Sequence, residues 1–260
     1  MLLFFSGGLD STTLGYDILL CPERYGISLE GEPVMTLLTV CFSKKEKLGK
    51  KENLRPLLTQ MRKLNSRVTL EHKIVVAPSY LLSFVPKVPV VEGSALVSSG
   101  VASPGFSISV QRQAETLHYT AGLHMFLASV AVNILHRHYP GYVPHHNRPK
   151  AFWGFQFEGP AWEAMDRGEG APSDTTPDFV RKLNALVDTF GHRSSASPVF
   201  CAPFLDNRMD RYQTLVLANR LGVPIELTSS CTTGWKAECG HCRQCVTRNQ
   251  ALSAYAAVYG

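Results

Sequence analysis

The first thirteen residues place a short apolar run, Met1-Leu2-Leu3-Phe4-Phe5, directly before Ser6-Gly7-Gly8-Leu9-Asp10-Ser11-Thr12-Thr13. An amphipathic helical run, Leu14 to Leu20, follows. Strand, glycine turn, helix is the most constraining order in the chain. Glycines let the backbone approach a ligand closely, and a helix N-terminus offers unpaired N–H groups and the positive end of a dipole to an anion. The sequence therefore predicts a phosphate cradle here, with Ser11 or Asp10 as the helix cap.

The pattern then repeats. Val34 to Phe42 is a near-continuous apolar run with β-branched residues, as in the buried strands of parallel sheets. Ser43 to Lys51 reads as a lysine-rich turn, and a helix is expected from about Glu52 to Leu64, with Leu54, Leu57, Leu58, Met61 and Leu64 on one face. His72 to Ala77 is a third strand. Residues 78–113, rich in Pro, Ser and Gly, form an irregular excursion. Ala114 to His136 is apolar nearly all round and predicts a buried helix. Ala151 to Phe157 is a fourth strand, and Gly159 to Ser173 a ligand-facing loop. Thr176 caps a helix that Pro177 opens. Pro198 to Leu205 is extended, Met209 to Leu221 is a helix closed by Gly222, and Val223 to Leu227 is a short fifth strand. This alternation predicts an α/β fold: a doubly wound, mainly parallel five-stranded sheet with a C-terminal zinc-binding segment. The expected division is 1–227 for the α/β domain and 228–260 for the zinc-binding segment.

The zinc expectation rests on Cys231, Cys239, Cys242 and Cys245, spaced C-x7-C-x2-C-x2-C. Four thiolates so grouped suit a tetrahedral structural zinc site. Gly240 permits a tight turn between ligands, and Arg243 and Arg248 are placed to offset the negative charge. An iron–sulfur cluster of the bacterial ferredoxin kind needs a C-x2-C-x2-C-x3-C-P run, and no cysteine follows Cys245. Cys21, Cys41 and Cys201 sit in or beside apolar runs and read as core residues, with Cys41 kept as a candidate nucleophile at the end of the second strand.

Composition narrows the partners. A net charge of +5 suits an anionic ligand such as a nucleotide but falls well short of a dedicated nucleic-acid binder. No stable nucleic-acid partner is expected. No run approaches the roughly 18 apolar residues of a membrane span, and no signal peptide is evident. Seven cysteines in a leaderless chain point to a reducing, cytoplasmic compartment. A homodimer stays open.

Ser6-Gly7-Gly8-Leu9-Asp10-Ser11 resembles the SGGxDS loop of the N-type ATP pyrophosphatases, and Ser230-Cys231, Cys239-Gly240-x-Cys242-x-x-Cys245 and Arg248 resemble the zinc site of their 7-cyano-7-deazaguanine synthase branch. The resemblance implies an ATP-dependent carbon–nitrogen ligase that splits ATP between its α and β phosphates. ATP would lie on Ser6, Gly7, Gly8, Leu9, Asp10, Ser11 and Thr12, with Asp10 helping to hold Mg²⁺ and Zn²⁺ on the four cysteines. Lys44, Lys45 and Arg211 are candidates for neutralising charge at the reacting phosphorus, although a solvated surface turn explains the lysines as well. The implied substrates are 7-carboxy-7-deazaguanine and ammonia. Trp153, Phe155 and Trp162 are candidates for stacking on the deazapurine, with core packing the alternative and the preferred reading of Phe155, and Asp174 belongs to an acidic loop that resembles the family's. Two stretches depart from the family. Phe42-Ser43-Lys44-Lys45 stands where the family has a Tyr and an Arg-His pair, and Ala121-Gly122-Leu123-His124 replaces a Pro-Gly-Arg-Asn helix entry. Arg211 occupies a family lysine position. Three alternatives remain: a relative adenylylating another deazaguanine, a tRNA thiolase or sulfate-activating reductase with the same loop, and a non-enzymatic zinc-ribbon module that binds nucleic acid. A thiolase needs a cysteine pair near the loop, for which only Cys41 is placed.

Overall fold

The computed structural model describes residues 1–77, 126–135, 137, 148–157, 176–190, 199–231 and 238–259. The excursion at 78–113, the loop carrying Trp162 and Asp174, and the 121–124 departure lie outside the described residues.

The elements are β1 (Leu2–Phe4), α1 (Leu9–Leu20), β2 (Val34–Cys41), α2 (Lys44–Met61), β3 (Thr69–Val76), a helical segment α3 over 126–135, β4 (Lys150–Phe152), α4 (Pro177–Phe190), β5 (Val199–Cys201), α5 (Pro203–Asp206), α6 (Arg211–Arg220) and α7 (Arg243–Tyr259). The five strands pair in the order β3-β2-β1-β4-β5, and every pairing is parallel. The chain runs outward from β1 through β2 to β3, then crosses back to place β4 and β5 on the other side. The carboxyl ends of β1 and β4 therefore flank the switch point, where open α/β sheets take their ligands.

Alternation along the strands splits the core between two faces. Leu3, Met35, Leu37 and Phe152 join one cluster with Leu14, Ile18, Leu57, Met61, Leu215 and Ala251, from α1, α2, α6 and α7. Leu2, Phe4, Leu38, Ala151 and Phe200 join the other with Ala128, Ala131, Leu135, Val180 and Leu183, from α3 and α4. At the outer edge of β5, Asn184 of α4 satisfies the strand with its side chain: it accepts from Phe200 N and donates to Phe200 O.

Several boundaries differ from the sequence reading. The lysine-rich stretch is not a turn but the first two turns of α2. Ser43 caps it, accepting from Glu46 N, while the Glu46 carboxylate takes the Phe42 N–H. The run Ser43-Lys44-Lys45-Glu46 is the S-x-x-E pattern of such a start. β4 ends at Phe152, so residues 153–157 leave the sheet as a non-repetitive stretch. The fifth strand is Val199–Cys201, not Val223–Leu227. The latter is a short 3₁₀ turn, Ile225–Leu227, held by the Arg248 guanidinium, which donates to Ile225 O and Thr228 O. The extended run 198–205 ends early because Pro203 opens the short α5. α1 is buried nearly throughout rather than amphipathic, and its buried Asp17 is matched by Arg24 and by the Tyr25 hydroxyl. The described part of α3 buries Ala128, Ala131 and Leu135 but exposes Ser129 and Asn133, so it is amphipathic there. Thr176 does cap α4, accepting from Phe179 N.

Candidate nucleotide and metal site

The glycine loop turns between β1 and α1 under tight steric control. Gly7 has φ +78, and a Cβ built there would lie 2.1 Å from Leu54 Cδ2 on α2. Both the left-handed backbone and the missing side chain are therefore required. Gly154, just past β4, has the second requirement: its Cβ would stand 3.0 Å from Ser11 N and 3.1 Å from the Asp10 carbonyl carbon. This glycine lets the 153–157 stretch lie directly against the first turn of α1.

Hydroxyls tie the loop together. Ser6 Oγ accepts from Gly8 N at 3.2 Å, Ser11 Oγ accepts from Ser6 N at 3.3 Å, and the two hydroxyls lie 3.2 Å apart. Gly8, not Asp10 or Ser11, is the N-cap of α1, and no side chain caps it. Asp10 and Ser11 lie inside the first helical turn, two and three residues past the cap position. Their amides find no acceptor among the described residues, as the first helical amides have none within a helix. That leaves N–H groups and a dipole for an anion.

A cavity of about 380 Å³ opens over this turn. Ser6, Gly8, Asp10 and Ser11 form its floor, while Phe42, Lys50, Trp153, Phe155 and Gln244 are among its walls. Trp153 is both wall and core: it is 3% exposed and stacks on Phe4, Phe155 and Phe200 at 4.6, 5.0 and 5.2 Å. Thr12 is fully buried, so its hydroxyl faces the interior rather than the cavity. Leu9 is buried too, and offers only its amide, 3.5 Å from Ser230 Oγ. Lys44 and Lys45 stand exposed at the start of α2 and are not among the cavity-lining residues. The lysine that reaches the loop is Lys50, whose Nζ donates to Ser6 O at 3.2 Å. Lys50 and Leu54 are one turn apart on α2, so one helix face supplies both the cation and the side chain that packs on Gly7. Reading 43–51 as a turn hid this.

Asp10 carries the main electrostatic feature. Burial pushes its carboxyl up to about 6, against the opposing pull of Arg211, Arg248 and the Gln156 amide. Gln156 Nε2 donates to Asp10 Oδ1 at 2.6 Å, and Arg211 Nη2 approaches Oδ2 only to 3.8 Å. A cavity-lining carboxylate destabilised by burial, with one oxygen that accepts no hydrogen bond among the described residues, fits a Mg²⁺ ligand. Arg211 is the first residue of α6, which the Asp210–Gln213 capping box starts, and is not among the cavity-lining residues, although Asp10 and Gln244, which it approaches, are. Cys41 is fully buried, burial pushes its thiol up to about 11, and it is not among the cavity-lining residues. It is a core thiol in this structure.

The four cysteines converge. Their Sγ atoms lie within 4.8 Å of one another, near the roughly 3.8 Å edge of a tetrahedron of thiolates around zinc. Cys239 N donates to Cys231 Sγ and Cys242 N to Cys239 Sγ, and Gly240 takes the left-handed conformation, φ +76, that the turn requires. Burial, together with hydrogen bonds to the other three thiols, pushes Cys245 up to about 12, so a cation is needed to hold this set as thiolates. The cluster fits zinc. Arg248 does not serve the sulfurs: its guanidinium binds Glu238, Ile225 O and Thr228 O.

The cysteine segment and the glycine loop are one site. Ser229 N donates to Gly7 O at 2.9 Å, Ser230 Oγ meets Leu9 N, and Cys231 and Gln244 line the cavity over Asp10. The two features farthest apart in the sequence thus meet at the carboxyl end of β1.

Residues 165–256 match the family model of queuosine biosynthesis protein QueC. The chain is 34% identical over 82 residues to the 7-cyano-7-deazaguanine synthase of Aquifex aeolicus (strain VF5), covering 30% of this chain and 37% of that protein. It is 34% identical over 84 residues to the enzyme of Prochlorococcus marinus (strain MIT 9215), covering 32% and 37%. For that of Synechococcus sp. (strain CC9311) it is 34% over 83 residues, covering 31% and 36%. The matches thus span little more than a third of the length of each relative. Together they support the 7-cyano-7-deazaguanine synthase branch for the stretch that carries Arg211, Gln244 and the four cysteines.

Proposed function

We propose that the protein is an ATP-dependent ligase that adenylylates a carboxylate, with 7-carboxy-7-deazaguanine and ammonia as substrates and 7-cyano-7-deazaguanine as product. One observation carries this reading: the hydrogen bonds from Ser229 N to Gly7 O and from Leu9 N to Ser230 Oγ, which bring the glycine loop and the cysteine segment to one cavity. In the proposed reaction a substrate carboxylate oxygen attacks the α-phosphorus and the bond to the β-phosphate oxygen breaks, releasing pyrophosphate. Ammonia then displaces AMP from the acyl adenylate to give the amide, and a second ATP activates the amide oxygen for loss as AMP, leaving the nitrile. The free amides of Asp10 and Ser11 and the ammonium of Lys50 stabilise the leaving pyrophosphate. Asp10 supplies a ligand to Mg²⁺, which offsets phosphate charge when bound. The cysteines hold Zn²⁺ as a structural ion that fixes Ser229, Ser230 and Gln244 against the loop. Trp153 and Phe155 present the apolar wall for a planar base. Lys44, Thr12 and Leu9 take no direct part, and Asp174 is proposed as a substrate contact on the family resemblance alone.

The test is to supply the protein with ATP, Mg²⁺, ammonia and 7-carboxy-7-deazaguanine and follow the deazaguanine by mass spectrometry. The reading expects loss of the acid and gain of the nitrile, with the amide as intermediate. A different deazaguanine acceptor is the second reading, favoured by Phe42, which lines the cavity where the family has a tyrosine. It expects AMP release with a related acid and no nitrile from this one.

A further inference from the structure

Asp10 and Arg211 form a pair of opposite charges that does not close. Asp10 Oδ2 and Arg211 Nη2 are 3.8 Å apart, whereas a charge-assisted N–H···O bond is about 2.7–2.9 Å long. In a poorly solvated pocket such charges attract strongly, so something must hold them open. Each is held by a neutral glutamine. Gln156 Nε2 donates to Asp10 Oδ1 at 2.6 Å, and Arg211 Nη2 donates to Gln244 Oε1 at 2.7 Å. Gln156 is only 8% exposed, so its amide is fixed. Gln244 lies between Cys242 and Cys245, so its place follows the cysteine cluster. The arrangement has a cost: Arg211 Nη1 is buried without an acceptor among the described residues. Closing the pair would relieve both groups, but it would engage the Asp10 oxygen that accepts no hydrogen bond among the described residues.

We propose that Gln156 and Gln244 are positioning residues that hold Asp10 and Arg211 apart, keeping Asp10 Oδ2 available as a cation ligand. The identity of that cation, the Mg²⁺ that accompanies ATP, rests on the adenylylation reading. A neutral amide is the group that serves at both places. A carboxylate at 244 would compete with Asp10 for Arg211, and a cation at 156 would occupy Asp10 itself.

The test uses the full chain with Gln156→Leu, Gln244→Leu and the double substitution. ATP binding is measured by calorimetry with Mg²⁺ and again with EDTA, and the thermal midpoint is measured without nucleotide. Each single variant is expected to bind ATP about tenfold more weakly with Mg²⁺ and nearly as well as the parent with EDTA. The double variant loses little more, because either loss lets the pair close. The nucleotide-free midpoint holds or rises, because a direct ion pair replaces the open one. Equal losses with and without Mg²⁺, or no loss at all, overturn the proposal, as does a double variant that loses about a hundredfold with a fallen midpoint. A parent protein that binds no ATP contradicts the adenylylation reading. The midpoint then decides the present proposal alone, supporting it if it holds or rises and overturning it if it falls.

Discussion

Asp10 concentrates the chemistry of the site in one side chain, and its titration is testable directly. Its folded-state pKa is raised from 3.8 to about 6. A raised carboxyl adds stability that is full below the unfolded value, about pH 4, and is lost as pH rises through about 6. At neutral pH the charged form is therefore a burden on the ligand-free fold. Asp10→Asn is expected to stabilise the ligand-free protein at pH 7 by about 1–2 kcal/mol, less than the shift alone implies because the carboxylate is partly open to solvent. The gain should shrink toward zero as pH falls from about 6 to about 4, as urea melts at several pH values will show. Gly7 gives a second check. Gly7→Ala meets both a left-handed backbone and Leu54 Cδ2 at 2.1 Å, and should cost about 2 kcal/mol or more. Relief by Leu54→Ala in a double-mutant cycle should recover the steric part but not the backbone part.

At the scale of elements, the site is an arrangement of helix starts and one cysteine cluster. α1 presents its amides, α2 sends Lys50 and Leu54 onto the loop, α6 starts at Arg211, and α7 starts between the cysteines. Cys239→Ser should lower the zinc content from about one per chain and loosen α7. Hydrogen exchange is expected to rise across 238–259 and in the 228–231 stretch bonded to the loop, while β1 and β2 stay protected. An unchanged exchange pattern with zinc lost would show that the cysteines do not hold α7 in place. Much of this framework was legible in the chain. β1, β2 and the four cysteines announce themselves, because buried parallel strands need continuous apolar runs and zinc ligands need short spacings. The start of α2 was misread because five lysines look like a solvated turn, although Ser43 and Glu46 carried the capping signal. Val223–Leu227 is apolar enough for a strand, but Arg248, over twenty residues on, claims the Ile225 carbonyl and that of the adjoining Thr228. Gln156 and Gln244 had no local signal: a glutamine matters here only through what the fold sets opposite it.

For the molecule as a whole, one topological fact organises function. The sheet order β3-β2-β1-β4-β5 puts the first loop of the chain and the residues after β4 side by side, and the C-terminal cysteine segment closes over both. Residue types at either end named the chemistry, but only the fold makes them a single cavity. The central claim is that this cavity splits ATP at its α-phosphorus. The most direct measurement is chromatography of the nucleotide products formed from ATP, Mg²⁺, ammonia and 7-carboxy-7-deazaguanine. The account predicts AMP and pyrophosphate in equal amounts, with Lys50→Met and Asp10→Asn each slowing their formation at least tenfold. Formation of ADP and inorganic phosphate by the unaltered protein would contradict it.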